Sequence, residues 1–129
     1  NVVSAGAAGG LGASFIGFMN AKVCSGTDLL LNLTDFDRLL SESDLVITGE
    51  GRADRQTLMG KLPFGILQVG KRQKKPVYLM AGNVENLSEL SNAGFEKIIA
   101  ITPNGMPLSQ AMKKDVAIKN IVKAVDQLL

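Results

Sequence analysis

The stretch Asp44-Leu45-Val46-Ile47-Thr48-Gly49-Glu50-Gly51-Arg52 decides how this sequence folds. Asp44 to Thr48 reads as a short, nearly continuous apolar strand, of the kind a parallel sheet buries on both faces. It gives way to glycine and charge, which places the polar residues on a turn at its carboxyl end. Two later segments repeat the arrangement. Pro76-Val77-Tyr78-Leu79-Met80-Ala81 is a second buried strand ending at Gly82, and Lys97 to Thr102 is a third, followed by the turn Pro103-Asn104-Gly105.

Between and around these strands the spacing is helical. Pro63 suits a first helical position, with the helix running to about Gln73. Asn86 and Glu89 read as a cap for a helix to Ala93, stopped by Gly94. After the last turn, Leu108, Ala111, Met112, Ile118, Ile121, Val122, Val125 and Leu128 keep one helical face to the end of the chain. Upstream, Leu11, Phe15, Phe18 and Met19 mark a helix from about Gly9 to Lys22. Ser25 and Asp28 form a capping box opening a helix over Gly26 to Leu33, with a strand over Leu29 to Leu33 as the other reading. Thr34 and Asp37 repeat the cap for a helix to about Ser41. Strand and helix alternate, so the fold class is α/β: a three-layer α/β/α arrangement with a parallel sheet.

The composition sets limits on chemistry. The chain has 129 residues, 46% hydrophobic and 20% charged, with a net charge of +2. That suits one soluble domain and argues against a dedicated nucleic-acid surface. No apolar run approaches the ~20 residues of a membrane span. There is no His, which excludes His-dependent nucleophilic triads and His metal sites within this chain. The single Cys, Cys24, cannot form an internal disulfide, and a cytoplasmic location is the expectation. With no base beside it in sequence, it reads as an idle thiol. Asn1 leads at once into a glycine-rich stretch with no strand before it, so the chain reads as a piece of a longer one.

Ligands of an open parallel sheet bind at the carboxyl ends of its strands. Here the first end is the richest: Gly49-Glu50-Gly51-Arg52-Ala53-Asp54-Arg55-Gln56-Thr57, with Lys61 beyond. Phosphoryl transfer needs such parts, namely cations to offset phosphate charge and a carboxylate to hold Mg²⁺ or accept a hydroxyl proton. Glu50 and Asp54 are the candidates for that carboxylate. A solvated loop whose charges pair with each other is the plainer account. The ends at Ala81-Gly82-Asn83 and Thr102-Pro103-Asn104-Gly105 fit a ligand site or simple tight turns equally. The stretch Gly6-Ala7-Ala8-Gly9-Gly10-Leu11-Gly12 lacks the Lys-Ser/Thr of a phosphate-binding P-loop, but leads into a helix whose free N–H groups attract anions. The basic run Lys71-Arg72-Gln73-Lys74-Lys75 complements a helix C-terminus. Met and Phe residues follow the helical stripes and are expected in the core, whereas Lys113, Lys114, Lys119 and Lys123 face solvent.

Taken in order, Gly6 to Gly12, Ser25-Gly26-Thr27-Asp28, Asp44 to Arg52, Asp54, Gln56-Thr57, Gly60-Lys61 and Pro63 closely resemble the bacterial glycerate kinase type I family. Pro76-Val77, Ala81-Gly82 and Met106 to Met112 fit as well. The resemblance covers nearly the whole chain, although Val3-Ser4 stands where Pro-Gly is expected. It implies that residues 1–129 are the C-terminal part of a flavodoxin-like domain, whose upstream part and inserted second domain lie outside this chain. It implies transfer of the γ-phosphoryl of ATP to D-glycerate, with Mg²⁺, in a cleft between domains. This chain would form one wall, inactive without the N-terminal portion of the same polypeptide. A homodimer is left open.

In that frame Glu50, Asp54 and Lys61 are the catalytic candidates, with Glu50 and Asp54 also the metal candidates. Gly6, Gly9, Gly10, Gly49, Gly51, Arg52, Gln56 and Thr57 would bind nucleotide or substrate. The competing reading is a non-catalytic flavodoxin-like module that binds a sugar phosphate and regulates a partner, since fold does not fix function.

Overall fold

A computed structural model describes residues 7–128. Its centre is β2 (Val77–Val84), paired in parallel with β1 (Val46–Ala53) on one side and β3 (Lys97–Ala100) on the other. The register runs from Val46↔Val77 to Ala53↔Val84 and from Tyr78↔Lys97 to Ala81↔Ala100. Helices α1 (Ala7–Met19), α2 (Gly26–Leu33) and α3 (Phe36–Ser41) precede the sheet. A 3-10 turn (Arg55–Leu58) and α4 (Leu62–Gln73) link β1 to β2, and α5 (Leu87–Ala93) links β2 to β3. Helices α6 (Leu108–Ala111) and α7 (Lys114–Asp126) follow.

The alternation of β2 explains the two layers of helix. Val77, Leu79 and Ala81 point to one face, where they join Ile66 and Leu67 of α4, Leu90 of α5, and Phe95 in the larger core. Leu31 and Phe36 pack at its margin, bringing α2 and α3 in behind α4. Tyr78 and Met80 point to the other face, where Ala124, Val125 and Leu128 cover them. That second core is small. Lys97 ties it down, its Nζ donating to the Leu128 carbonyl at 2.8 Å and lying 5.2 Å from the centre of the Tyr78 ring.

The α/β architecture is as expected, with helices on both faces of a parallel sheet. Several boundaries differ. β1 and β2 run on through their glycines to Ala53 and Val84, because the backbones keep pairing where side-chain hydrophobicity has stopped. Glu50 and Arg52 therefore stand on a strand rather than on a turn. Among the described residues β1 is an edge strand with Ile47 exposed, and only β2 is buried on both faces. β3 stops at Ala100, although the Ile101 and Thr102 N–H groups still donate to the Ala81 and Gly82 carbonyls.

The capping expectations divide. Ser25 caps α2, accepting from the Asp28 N–H at 3.5 Å. Thr34 ends α2 instead of opening α3, its hydroxyl donating back to the Leu30 carbonyl. Asp35 and Asn86 enter α3 and α5 in left-handed conformation, with no side-chain cap. The C-terminal helix is two helices, separated at Met112 and Lys113, where Lys113 is extended. α1 ends at Asn20 in left-handed conformation, and its stripe Leu11, Phe15, Phe18 and Met19 is exposed, Phe18 by 91%. Met59 and Met112 are exposed too, whereas Met80 and Phe95 are core. The basic run closes α4 as expected, with Lys71 and Arg72 in its last turn; in addition Arg72 bonds Asp37 and Lys75 bonds the Ser43 carbonyl. Cys24 is exposed and free, and the four lysines face solvent.

Candidate active site

Glu50 reaches the site from β1, Thr57 from the 3-10 turn, and Lys61 from the residue that opens α4. The turn is built by a reciprocal cap. Asp54 Oδ1 accepts the Gln56 N–H at 2.8 Å, and the Thr57 hydroxyl accepts the Asp54 N–H at 3.1 Å. Thr57 is fully buried, so its hydroxyl proton needs a partner. It donates to Glu50 Oε1 at 2.6 Å. The other oxygen, Oε2, lies 3.6 Å from Lys61 Nζ. The Glu50 side chain is 14% exposed and that of Lys61 is 42% exposed. A nearly buried carboxylate is thus fixed at one oxygen by a hydroxyl and faced at the other by an ammonium with N–H groups to spare.

Arg52 sits outward of this cluster. Its Nη2 donates to Glu85 Oε2 at 2.7 Å, which raises the guanidinium pKa further, and its Nε is 3.4 Å from Asp54 Oδ2. Arg55 pairs bidentately with Glu89 of α5 at 2.8 and 2.7 Å from Nε, an arrangement that holds the Glu89 carboxyl below its ordinary pKa. Arg55 therefore fastens the turn to α5.

The glycines divide by position. A Cβ at Gly49 would lie 2.9 Å from the Met80 carbonyl oxygen, and one at Gly82 would lie 2.5 Å from that of Gly51. Both contacts are too close for a side chain, so glycine here lets β1 and β2 approach beside the site. Gly9 and Gly10 adopt φ of +67° and +94° within α1, which is not among the elements that build this cluster. Gly6 lies outside the described residues.

Beside the cluster is a cavity of about 740 Å³. Glu50, Gly51 and Arg52 of β1, Gly82 and Asn83 of β2, and Ile101 and Thr102 after β3 form its floor at the carboxyl ends of the strands. Residues from Met106 to Ile121 form the opposite wall. Glu50, Arg52, Asp54, Thr57 and Lys61, expected together from one short segment, are neighbours in the structure, and Gln56 joins them through its N–H to Asp54. Asn120 and Ile121 also line the cavity, from α7, whose helical stripe carries no mark of a cavity wall.

The glycerate kinase family model matches residues 1–129. A glycerate kinase of Halalkalibacterium halodurans is 39% identical over 115 residues, covering 88% of this chain and 30% of the relative. One from Bacillus subtilis strain 168 is 41% identical over 113 residues, covering 84% and 29%. A glycerate 2-kinase of Escherichia coli K12 is 33% identical over 125 residues, covering 96% and 32%. A crystal structure described as a glycerate kinase 2 from Salmonella typhimurium LT2 superposes with a TM-score of 0.61 at 30% identity, covering 97% of this chain and 33% of that one. The chain spans about a third of the length of these relatives. With the match running from the first residue to the last, and with the strand-end cluster inside it, this chain belongs to the glycerate kinase family.

Proposed function

We propose that the polypeptide carrying this chain transfers the γ-phosphoryl group of ATP to D-glycerate, giving 2-phosphoglycerate, and that this chain is one wall of the cleft where it happens. The single observation that carries the reading is Glu50, a nearly buried carboxylate held by Thr57 and faced by Lys61 at the edge of the strand-end cavity. In this reading residues 1–129 complete a flavodoxin-like domain, and the second domain, from the rest of the polypeptide, closes the cleft. A cytoplasmic setting goes with ATP as donor.

The chemistry follows from the geometry. The 2-hydroxyl oxygen of glycerate attacks the γ-phosphorus, its proton passes to Glu50, and the bond from the γ-phosphorus to the bridging oxygen breaks to release ADP. Thr57 fixes one oxygen of Glu50, leaving the other to act. Lys61 offsets charge on phosphoryl or carboxylate oxygens, and Arg52 supplies a second cation at the mouth. Asp54 shapes the turn, with one oxygen on the Gln56 N–H and the other towards Arg52. Gly51 lets a ligand approach the β1 backbone. Gly6, Gly9 and Gly10 enter as phosphate-contacting residues through the family resemblance alone.

Magnesium fits this donor set. It commonly takes one or two carboxylates and completes its shell with phosphate oxygens and water. Among the described residues no group of three or more Asp, Glu, His or Cys gathers into an all-protein cage. Asp54 would hold the ion together with the nucleotide's phosphate oxygens, which leaves Glu50 free to take the hydroxyl proton. When bound, the ion offsets the charge on the transferring group.

The test is ADP release by the complete polypeptide with D-glycerate. Glu50→Gln lowers kcat about 100-fold or more, as expected when a group used in the transition state is removed. Release of ADP that does not depend on glycerate, or near-normal kcat in both Glu50→Gln and Asp54→Asn, overturns the reading. The competing sugar-phosphate module is disfavoured, since the relatives named for an activity are named as kinases.

A further inference from the structure

The cavity is mostly polar on one side and mostly apolar on the other. Glu50, Arg52 and Asn83 stand on its strand-end side, while Met106, Leu108, Met112 and Ile121 make an apolar wall from α6, α7 and the segment before them. Leu108 and Met112 are each 74% exposed, so neither belongs to the sheet's core. Its volume, about 740 Å³, lies within the ~300–1,000 Å³ usual for small-molecule sites. D-glycerate carries an oxygen on every carbon and has no apolar face to lay against such a wall.

From this we infer that the wall formed by Met106, Leu108, Met112 and Ile121 receives the adenine ring of the nucleotide, with Asn120 reading its edge and the phosphates lying towards Glu50 and Lys61. The inference rests on the kinase reading above and adds to it where the base goes. Thioether side chains are polarizable and adapt to flat aromatic surfaces, and two of the four wall residues are methionines. Asn120 is the polar group on that side. Its Nδ2 donates to Met106 Sδ at 3.7 Å, a weak acceptor that is easily exchanged for a better one. A carboxamide offers one acceptor and two N–H donors, the pattern that matches the exocyclic amine and N7 of adenine. Glu50 lines the strand-end side of the same cavity, with Lys61 Nζ 3.6 Å from its Oε2, so the base and the phosphates have separate places in one cavity.

Calorimetric titration of the complete polypeptide with ADP and, separately, with inorganic tripolyphosphate tests this. Asn120→Leu and Met112→Ser should each weaken ADP by about tenfold while leaving tripolyphosphate unchanged. In turnover, KM for ATP should rise with KM for D-glycerate unmoved. Met112 is exposed, so Met112→Ser decides the matter if Asn120→Leu fails to fold. Unchanged ADP affinity in the folded variants overturns the placement, and points to another segment of the polypeptide as the cover of this wall. Equal weakening of ADP and tripolyphosphate overturns it too, as does failure of the parent protein to bind ADP. Glycerate-dependent ADP release alongside unchanged ADP affinity in the variants removes the base site and keeps the kinase. Absence of that release removes the kinase reading, while ADP titration still decides the base site.

Discussion

The two faces of the sheet are built to different standards. On one, Val77, Leu79 and Ala81 meet α4 and α5 in a core with Ala53, Leu67 and Leu90 almost fully buried. On the other, Tyr78 and Met80 meet Ile99, Ile101 and the last turns of α7, and residues from Met106 to Ile121 face the strand ends across a cavity. The first face stabilises the chain. The second leaves apolar surface and polar strand ends open together, which is what a small-molecule site requires. The packed face and the open one are thus divided by the alternation of one strand, β2.

That division can be broken from either side. The largest effect is expected on the packed face, where Leu79→Ala should cost about 2–5 kcal/mol, against under about 0.5 kcal/mol for Met112→Ala on the open one. Urea unfolding of the complete polypeptide measures both, and similar costs would erase the contrast. Next comes Gly82→Ala, whose new Cβ would press on the Gly51 carbonyl and force β1 and β2 apart, at about 1–3 kcal/mol. Loss of activity in that variant beyond its loss of stability would show that the spacing of the two strands also sets the site. Thr57→Val should cost about 1–3 kcal/mol by leaving a buried bond unmade, and should lower kcat, with Thr57→Ser restoring it. Equal kcat for Val and Ser would remove Thr57 as the residue that positions Glu50.

The smallest effect lies behind the packed face. Hydrogen bonds from Arg72 and then Gln73 hold the Asp37 carboxyl below its ordinary value of 3.8. A lowered folded pKa adds stability above 3.8 and loses it as pH falls through the folded value. The pair is exposed, so Asp37→Asn should cost well under about 1 kcal/mol at neutral pH. The variant should also flatten the acid side of the stability curve. An unchanged acid limb would show that this pair fastens α3 to α4 no better than solvent does.

Much of this was legible in residue order, for reasons that also mark where legibility ends. Val46-Ile47 and Val77-Tyr78-Leu79 announce strands through their side chains. Gly49-Glu50-Gly51-Arg52 continues one through its backbone, and backbone pairing leaves no mark on hydropathy. The split between α6 and α7 falls at Met112-Lys113, where neither Gly nor Pro interrupts the pattern. The stripe Leu11, Phe15, Phe18 and Met19 gives a helix correctly, but periodicity names a face without naming its partner. At the site, Glu50, Thr57 and Lys61 were legible because one short segment carries them all. Asn120 was not, because only the fold brings a residue so distant in sequence to the ends of the strands.

The bond from Lys97 to the Leu128 carbonyl has a mechanical consequence. It ties the chain just past the C-terminal end of α7 to β3, next to the buried Ala124 and Leu128, while among the described residues no side-chain hydrogen bond joins the end at Lys114 to the sheet. Ile121, on the cavity side of that helix, lies between the end that the sheet holds and the end that it does not.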